Sequence, residues 1–187
     1  MSARAISSFL SISLLLFSAS ALAEMTVPVD LQLDLLKRVV RFERGFAARG
    51  GARLRFVIVE RAGDSGSERV ANQLKQALEH APEIAGKQVA VELEPFVSAR
   101  ALRKRVEGAQ IIYLAPGLEA ELPAIAAALG ELPAITIAAD GDAVVQGAVL
   151  GFELFSSRPR IVLNLGQAGR QGLDFSSDLA RLARVVR

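Results

Sequence analysis

The stretch GAVLGFELFSSRPRIVLNLGQAGRQGLDFSSDLARLARVV, residues 147–186, decides the fold. Ala148, Leu150, Phe152 and Leu154 alternate with Val149, Gly151, Glu153 and Phe155; Ile161, Leu163 and Leu165 alternate with Arg160, Val162 and Asn164. A two-residue period, met twice, predicts two strands. Ser156, Ser157, Arg158 and Pro159 between them supply turn chemistry, so the strands form an antiparallel hairpin. Gly166, Gly169 and Gly172 then break the chain. Asp174 or Ser176 is placed to cap a closing helix with Leu179, Leu182, Ala183 and Val186 on one face. That helix is expected to lie back on the sheet with Leu179 and Leu182 in the core, and its loss is expected to unfold the protein.

Working back toward the N-terminus, strand and helix alternate. Leu33, Leu36, Val39, Val40 and Phe46 fall at helical spacing, predicting a first helix from Val29 to about Ala48, ended by Gly50 and Gly51. Its other face carries Lys37, Arg38, Arg41 and Arg44, either a solvated face or one that meets an acidic partner or lipid headgroups. Leu54–Val59 reads as a buried strand, and the loop Arg61–Ser67 after it opens a helix running to about His80 through Val70, Leu74, Ala77 and Leu78. Val89–Leu93 is a second strand ended by Pro95, and Ser98 caps a short helix through Leu102 and Val106. The nearly continuous apolar run Ala109–Ala115 predicts a central strand with Tyr113 in the core. A helix over Leu118–Leu129 and a strand over Ala134–Ala138 complete the pattern. The fold class is therefore α/β: one three-layer domain with a mostly parallel central sheet, a C-terminal antiparallel hairpin and a closing helix.

The residue inventory removes most catalytic chemistry. The chain has no cysteine and one histidine, His80, so thiol nucleophiles and the common transition-metal ligand sets lack their parts. Gly63-Asp64-Ser65-Gly66-Ser67 joins a strand to a helix but carries neither a P-loop lysine nor the three glycines of a dinucleotide fingerprint. Backbone donors at that helix start suit an anion, and ordinary turn geometry explains the same letters. Asp140 and Asp142 beyond the last parallel strand suit either a hard cation or turn and cap roles. No acid/base pair can be placed in one cleft, so no catalytic residue, metal or cofactor is assigned.

Residues 1–23 read as a cleaved signal peptide: Arg4 in a weak basic region, an apolar run from Phe9 to Ala19, and Ala21-Leu22-Ala23 as the cleavage site. The mature chain would be 24–187, exported and held without disulfides. Removing Arg4 leaves 21 basic residues against 20 acidic ones, a nearly neutral chain. It shows no concentrated basic face with stacking aromatics, which excludes nucleic acid as the expected partner.

The segment RIVLNLGQAGRQGLDFSSDLARLARV, from Arg160 to Val185, resembles the C-terminal signature of the YfiR family of bacterial periplasmic proteins. The matching positions are Asn164, Leu165, Gly172, Leu173, Ser176, Ser177, Leu179, Leu182, Ala183 and Val185, with a weaker match extending through Gly147 and the strand at Ile111–Leu114. The resemblance implies a non-enzymatic periplasmic regulator that binds and represses an inner-membrane signalling protein, a diguanylate cyclase in the founding members. Some relatives carry cysteine pairs; this chain has none, so any redox sensing linked to them has no counterpart here. Gly147, Asn164, Gly172, Leu173, Leu179 and Leu182 are expected to serve the fold, with the Asn164 amide open to either backbone groups or a ligand. Arg38, Arg41, Arg181 and Arg184 are the candidate partner contacts, and a homodimer is the symmetric expectation. The alternative is a periplasmic small-ligand module serving a sensor kinase, with its pocket near Glu60–Ser67 and Pro116–Leu118.

Overall fold

A computed structural model describes residues 27–49 and 51–186. The expected signal segment lies outside the described residues. Strands β1 (Arg53–Glu60), β2 (Glu83–Ile84), β3 (Lys87–Pro95), β4 (Ile111–Leu114), β5 (Ile135–Ala138), β6 (Leu150–Phe155), β7 (Arg158–Asn164) and β8 (Arg184–Val186) form one sheet in the order β2-β3-β1-β4-β5-β6-β7-β8. The run from β3 to β6 is parallel, β2 and β7 pair antiparallel to their neighbours, and β8 is parallel to β7. The mostly parallel sheet and the hairpin are those the apolar pattern predicts.

Alternation along β1 divides the core. Phe56 and Ile58 join Tyr113, Ile135 and Ile137 on one face, under helices α1 (Val29–Val39) and α2 (Ser65–His80). Val57 and Val59 join Ile112 and Leu114 on the other. That second face is covered by α3 (Ala99–Arg105), α4 (Leu122–Leu129) and α5 (Asp142–Val145). The short helices α6 (Leu165–Arg170) and α7 (Ser177–Leu182) return to the first face, where Ala168 and Leu179 are buried. Strands covered on both sides must be apolar throughout, and every residue of β4 and β5 is buried.

Local chemistry starts the helices. The Asp64 carboxylate accepts from the Ser67 amide at 2.8 Å and opens α2, and Ser98 Oγ accepts from the Ala101 amide at 3.2 Å and opens α3. A buried pair locks α1 to the central strand: the Tyr113 hydroxyl donates to Gln32 Oε1 at 2.8 Å, while Gln32 Nε2 donates to the Val27 carbonyl at 2.7 Å. Burial pushes the Tyr113 phenol well above its ordinary range, so it stays a donor.

Four expectations are corrected. The first helix stops at Val39, with a 3-10 turn over Val40–Phe42, and does not run to Ala48. Glu43 is extended and buried, its carboxylate paired with Arg49 and accepting from the Asp174 amide at 3.0 Å. This contact, with the bridge Glu43–Phe175, pulls the chain out of helix. Pro159 sits within β7 opposite Leu154 and leaves the turn to Ser156 and Ser157 alone. The glycines after Asn164 do not break the chain at once, because α6 forms across Gly166 and Gly169. The closing helix ends at Leu182, whose side chain is 67% exposed and not in the core. Arg184–Val186 then adds an eighth strand in place of a last helical turn.

Gly151 is where α5 meets the sheet. A Cβ there would overlap the Asp140 carbonyl oxygen and Val144 Cγ2, so only a bare backbone fits. Replacing Gly151→Ala should cost about 2 kcal/mol or more of unfolding free energy, since a close-packed interior does not yield to an added methyl. Urea unfolding of the two proteins measures it; equal midpoints would refute this account of the contact.

Candidate functional site

The C-terminal motif is built around Asn164, where β7 turns into α6. Its Oδ1 accepts from the Gln167 amide at 2.8 Å, and its Nδ2 donates to the Val144 carbonyl at 3.0 Å, so one buried amide caps α6 and satisfies the end of α5. The far end of α6 closes through Gly172 at φ +65°. The Leu173 amide donates to the Ala168 carbonyl and the Gly172 amide to Gly169, the paired bonds of a Schellman stop, with Leu173 buried behind it. The Asn-Leu and Gly-Leu pairs of the motif thus mark the start and stop of one short helix.

Three residues that sequence reasoning passed over hold that helix to the sheet. Gln171 Nε2 donates to the Ala134 carbonyl at 3.0 Å, and its Oε1 accepts from the Thr136 hydroxyl at 3.0 Å and from Gln167 Nε2 at 3.3 Å. Gln167 Nε2 also lies 3.3 Å from the Ala126 carbonyl on α4. Only Asn164 followed three places later by Gln167, the spacing of a capping box, signals this in the sequence.

The motif residues do not all meet at one place. Gly147 and Asn164 line a groove of about 540 Å³ with Ala126, Val145, Gln167 and Arg170, at the edge where the parallel strands begin. Gly147 has φ +126°, and a Cβ there would overlap Ala126 Cβ, so its role in the wall is steric. Leu173 and Leu179 belong to the core beneath, and Leu182 is on the surface. A second groove, about 680 Å³, runs between α1 and α2 past Asp34, Lys37, Gln76 and His80.

Of the four arginines, Arg38 and Arg41 are exposed beside α1, and no ion pair involves either among the described residues. Arg181 lies 3.8 Å from Asp178 with both side chains exposed. Arg184 is engaged: its Nη2 is 2.8 Å from Glu153 Oε2, and Arg160 binds the same carboxylate, Nε to Oε1 at 2.6 Å. One acid from β6 therefore braces cations from β7 and β8. Partial burial works to raise the Glu153 carboxyl, but Arg184 and then Arg160 overcome it and hold it below the usual carboxylate range.

The strand-end crevice proposed for a small ligand has its own occupants. The chain passes from β1 to β3 on one side and then to β4 on the other, so the order reverses between β1 and β4, the place where open α/β sheets bind ligands. There the Arg61 side chain bridges to the Gly117 carbonyl and to Glu121. The adjoining concavity over Leu114–Leu118 and Ala138–Asp140 is about 10 Å³, room for roughly one water. Burial, with Glu68 adding to it, raises the Glu60 carboxyl beside this crevice. Among the described residues no cluster of side chains suits a metal ion, and no helix is long and apolar enough to cross a membrane.

These features define a single α/β domain built on a mostly parallel sheet with helices on both faces. The chain belongs to the family described as YfiR/HmsC-like, whose sequence profile matches residues 34–184. No curated protein matches it. Among solved structures it is similar to a conserved domain protein from Vibrio cholerae O1 biovar eltor, with a TM-score of 0.62 at 12% identity, covering 88% of this chain and 61% of that one. It is also similar to an ABC domain in complex with L-Trp from Streptococcus pneumonia, with a TM-score of 0.60 at 12% identity over 86% and 62% of the two chains. A third is CD0873, a substrate-binding protein with adhesive properties from Clostridium difficile in a ligand-free, open structure, at 0.62, 15% identity, and 86% and 60%. At these identities the likeness is one of fold, and the chain spans about three-fifths of the length of those proteins.

Two outcomes test the site. Asn164→Ala removes a cap and a buried donor together and should lower unfolding free energy by about 2 kcal/mol in urea titration; a loss under about 0.5 kcal/mol would show that the amide does not hold this junction. For Glu153, a carboxyl depressed in the folded state contributes stability that is present above its unfolded value and lost as pH falls through the folded one. Thermal midpoints should therefore drop below about pH 4 more steeply in the parent than in Glu153→Gln; parallel curves would remove Glu153 from the account.

Proposed function

We propose that this chain is a periplasmic, non-catalytic regulator that binds the periplasmic part of an inner-membrane signalling protein, a diguanylate cyclase, and holds it inactive. The observation that carries this reading is the family match over residues 34–184, which takes in strands β1 to β7 and the C-terminal motif as far as Arg184. Such a regulator lowers cyclic-di-GMP without touching the nucleotide. Its mechanism is differential affinity: moving a target from mostly active to mostly inactive takes about 5.5 kcal/mol of preference for the inactive form. That figure lies within reach of one protein surface with a few well-packed anchors. Exposed Arg38, Arg41 and Arg181 remain the proposed contacts from the sequence, whereas Arg184 already serves Glu153.

A second reading, a small-ligand module serving a sensor kinase, is favoured by the similarity in fold to an L-Trp complex and a substrate-binding protein. The Arg61 bridge across the strand-end crevice weighs against a ligand at that position.

Cellular cyclic-di-GMP should rise when the gene is deleted and return only when the exported form of the protein is restored. A form lacking residues 1–23 should fail to complement. An unchanged nucleotide level while the protein is abundant would sink the cyclase assignment and leave the ligand module as the reading to pursue.

A further inference from the structure

The β6–β7 hairpin outlasts the sheet it grows from. β6 pairs with β5 at Leu150 opposite Ile137, and β5 ends one residue later. Residues 152–155 therefore run on past it, about 13 Å of strand. Exposure rises along both arms toward the turn. At the tip Phe155 is 57% exposed, with the Arg160 guanidinium 4.1 Å from its ring centroid, and the two flank a concavity of about 420 Å³ shared with Ser156, Arg158 and Pro159.

We propose that this tip is a protein-docking surface that takes an acidic segment with an apolar side chain, presented by the membrane protein the chain regulates. The partner class rests on the reading given under Proposed function; the surface itself rests on the following geometry. A lone exposed Phe is ordinary, but this ring is held. Arg160 covers it while bonded to Glu153, and Glu153 is bonded in turn to Arg184. Pro159 and the two-residue turn, with Ser156 and Ser157 at φ +49° and +61°, restrict the backbone around it. An aromatic and an arginine fixed before binding are the residue types that anchor interfaces, and fixing them beforehand lowers the cost of association.

Charge selects the occupant. Between Leu154 and Ile161 there are two arginines and no acid, and Glu153 is already shared between Arg160 and Arg184. Arg158 makes no ion pair among the described residues, so the tip carries uncompensated positive charge. A carboxylate beside Arg158 with an apolar group against Phe155 completes it. A lipid surface fits less well, since it gains about 1 kcal/mol per free cation and the tip offers one. A second copy fits less well because a two-fold contact would oppose Arg158 to Arg158.

The test uses the full exported chain in native membranes, with a photo-reactive aromatic residue in place of Ser156 and a control in place of Arg69 on α2. The expected product is an adduct from position 156, and none from position 69, with a periplasmic segment of a membrane protein that contains Asp or Glu beside apolar residues. Phe155→Ala and Arg158→Glu should each lower adduct yield about ten-fold with unchanged thermal midpoints. An adduct only with lipid or another copy, an adduct with a segment lacking acids, no adduct, or yields indifferent to both substitutions would each overturn the proposal. The regulatory reading stands or falls separately. Cyclic-di-GMP lowered equally by the parent and both hairpin variants would keep the repressor and discard the hairpin. The expected adduct without any effect on cyclic-di-GMP would keep the hairpin and discard the cyclase.

Discussion

One buried amide sets the C-terminal third in place. Asn164 accepts from α6 and donates to α5 at once, so a single side chain ties the end of β7 to both helix ends. From that point the path is constrained. α6 is only six residues long and contains two glycines, so it draws its stability from the cap, from the Schellman stop at Gly172 and from the Gln171 bonds to β5. Leu173 and Phe175 then reach the core, and Asp174 presents its amide to Glu43. Through that contact the chain end governs where the first helix stops.

Elements whose identity rests on apolar runs were legible from residue order alone. β4 is buried on both faces and reads as such, β1 and β5 read as strands, and α2 shows in the spacing of Val70, Leu74, Ala77 and Leu78, whereas sequence reasoning passed over its Asp64 cap. What was hidden depends on partners distant in sequence. The end of α1 is decided by Glu43 meeting Arg49 and Asp174, and helical spacing through Phe46 carries no trace of that. Arg184-Val185-Val186 is a fair strand sequence, yet the helical period of Leu179 and Leu182 masks it until Glu153 is seen to hold Arg184. Gln32, Thr136 and Gln171 could not be told from surface residues, because a polar side chain reveals its burial only with its partner in view.

The two ends of the sheet divide the work. At the end where the parallel strands begin, Gly147 and Asn164 fit backbone to backbone, and the motif is construction. At the opposite end lie the crevice bridged by Arg61 and the projecting hairpin with its ring and two guanidinium groups. The exposed arginines beside α1 lie over the face that also carries α2 and α7, apart from both ends.

The outermost strands of the sheet are its shortest, two residues in β2 and three in β8. An eight-stranded sheet with so apolar a centre would template growth of another chain if it ended on strands as long as β1 or β3. β2 covers only the Lys87–Gln88 end of the nine-residue β3, so along the rest of that strand the acidic side chains of Glu92 and Glu94 are what discourages a further strand, and β8 carries a cation at its first position. In a chain with no disulfide to lock it shut, these short or charged margins work against edge-to-edge growth of the sheet.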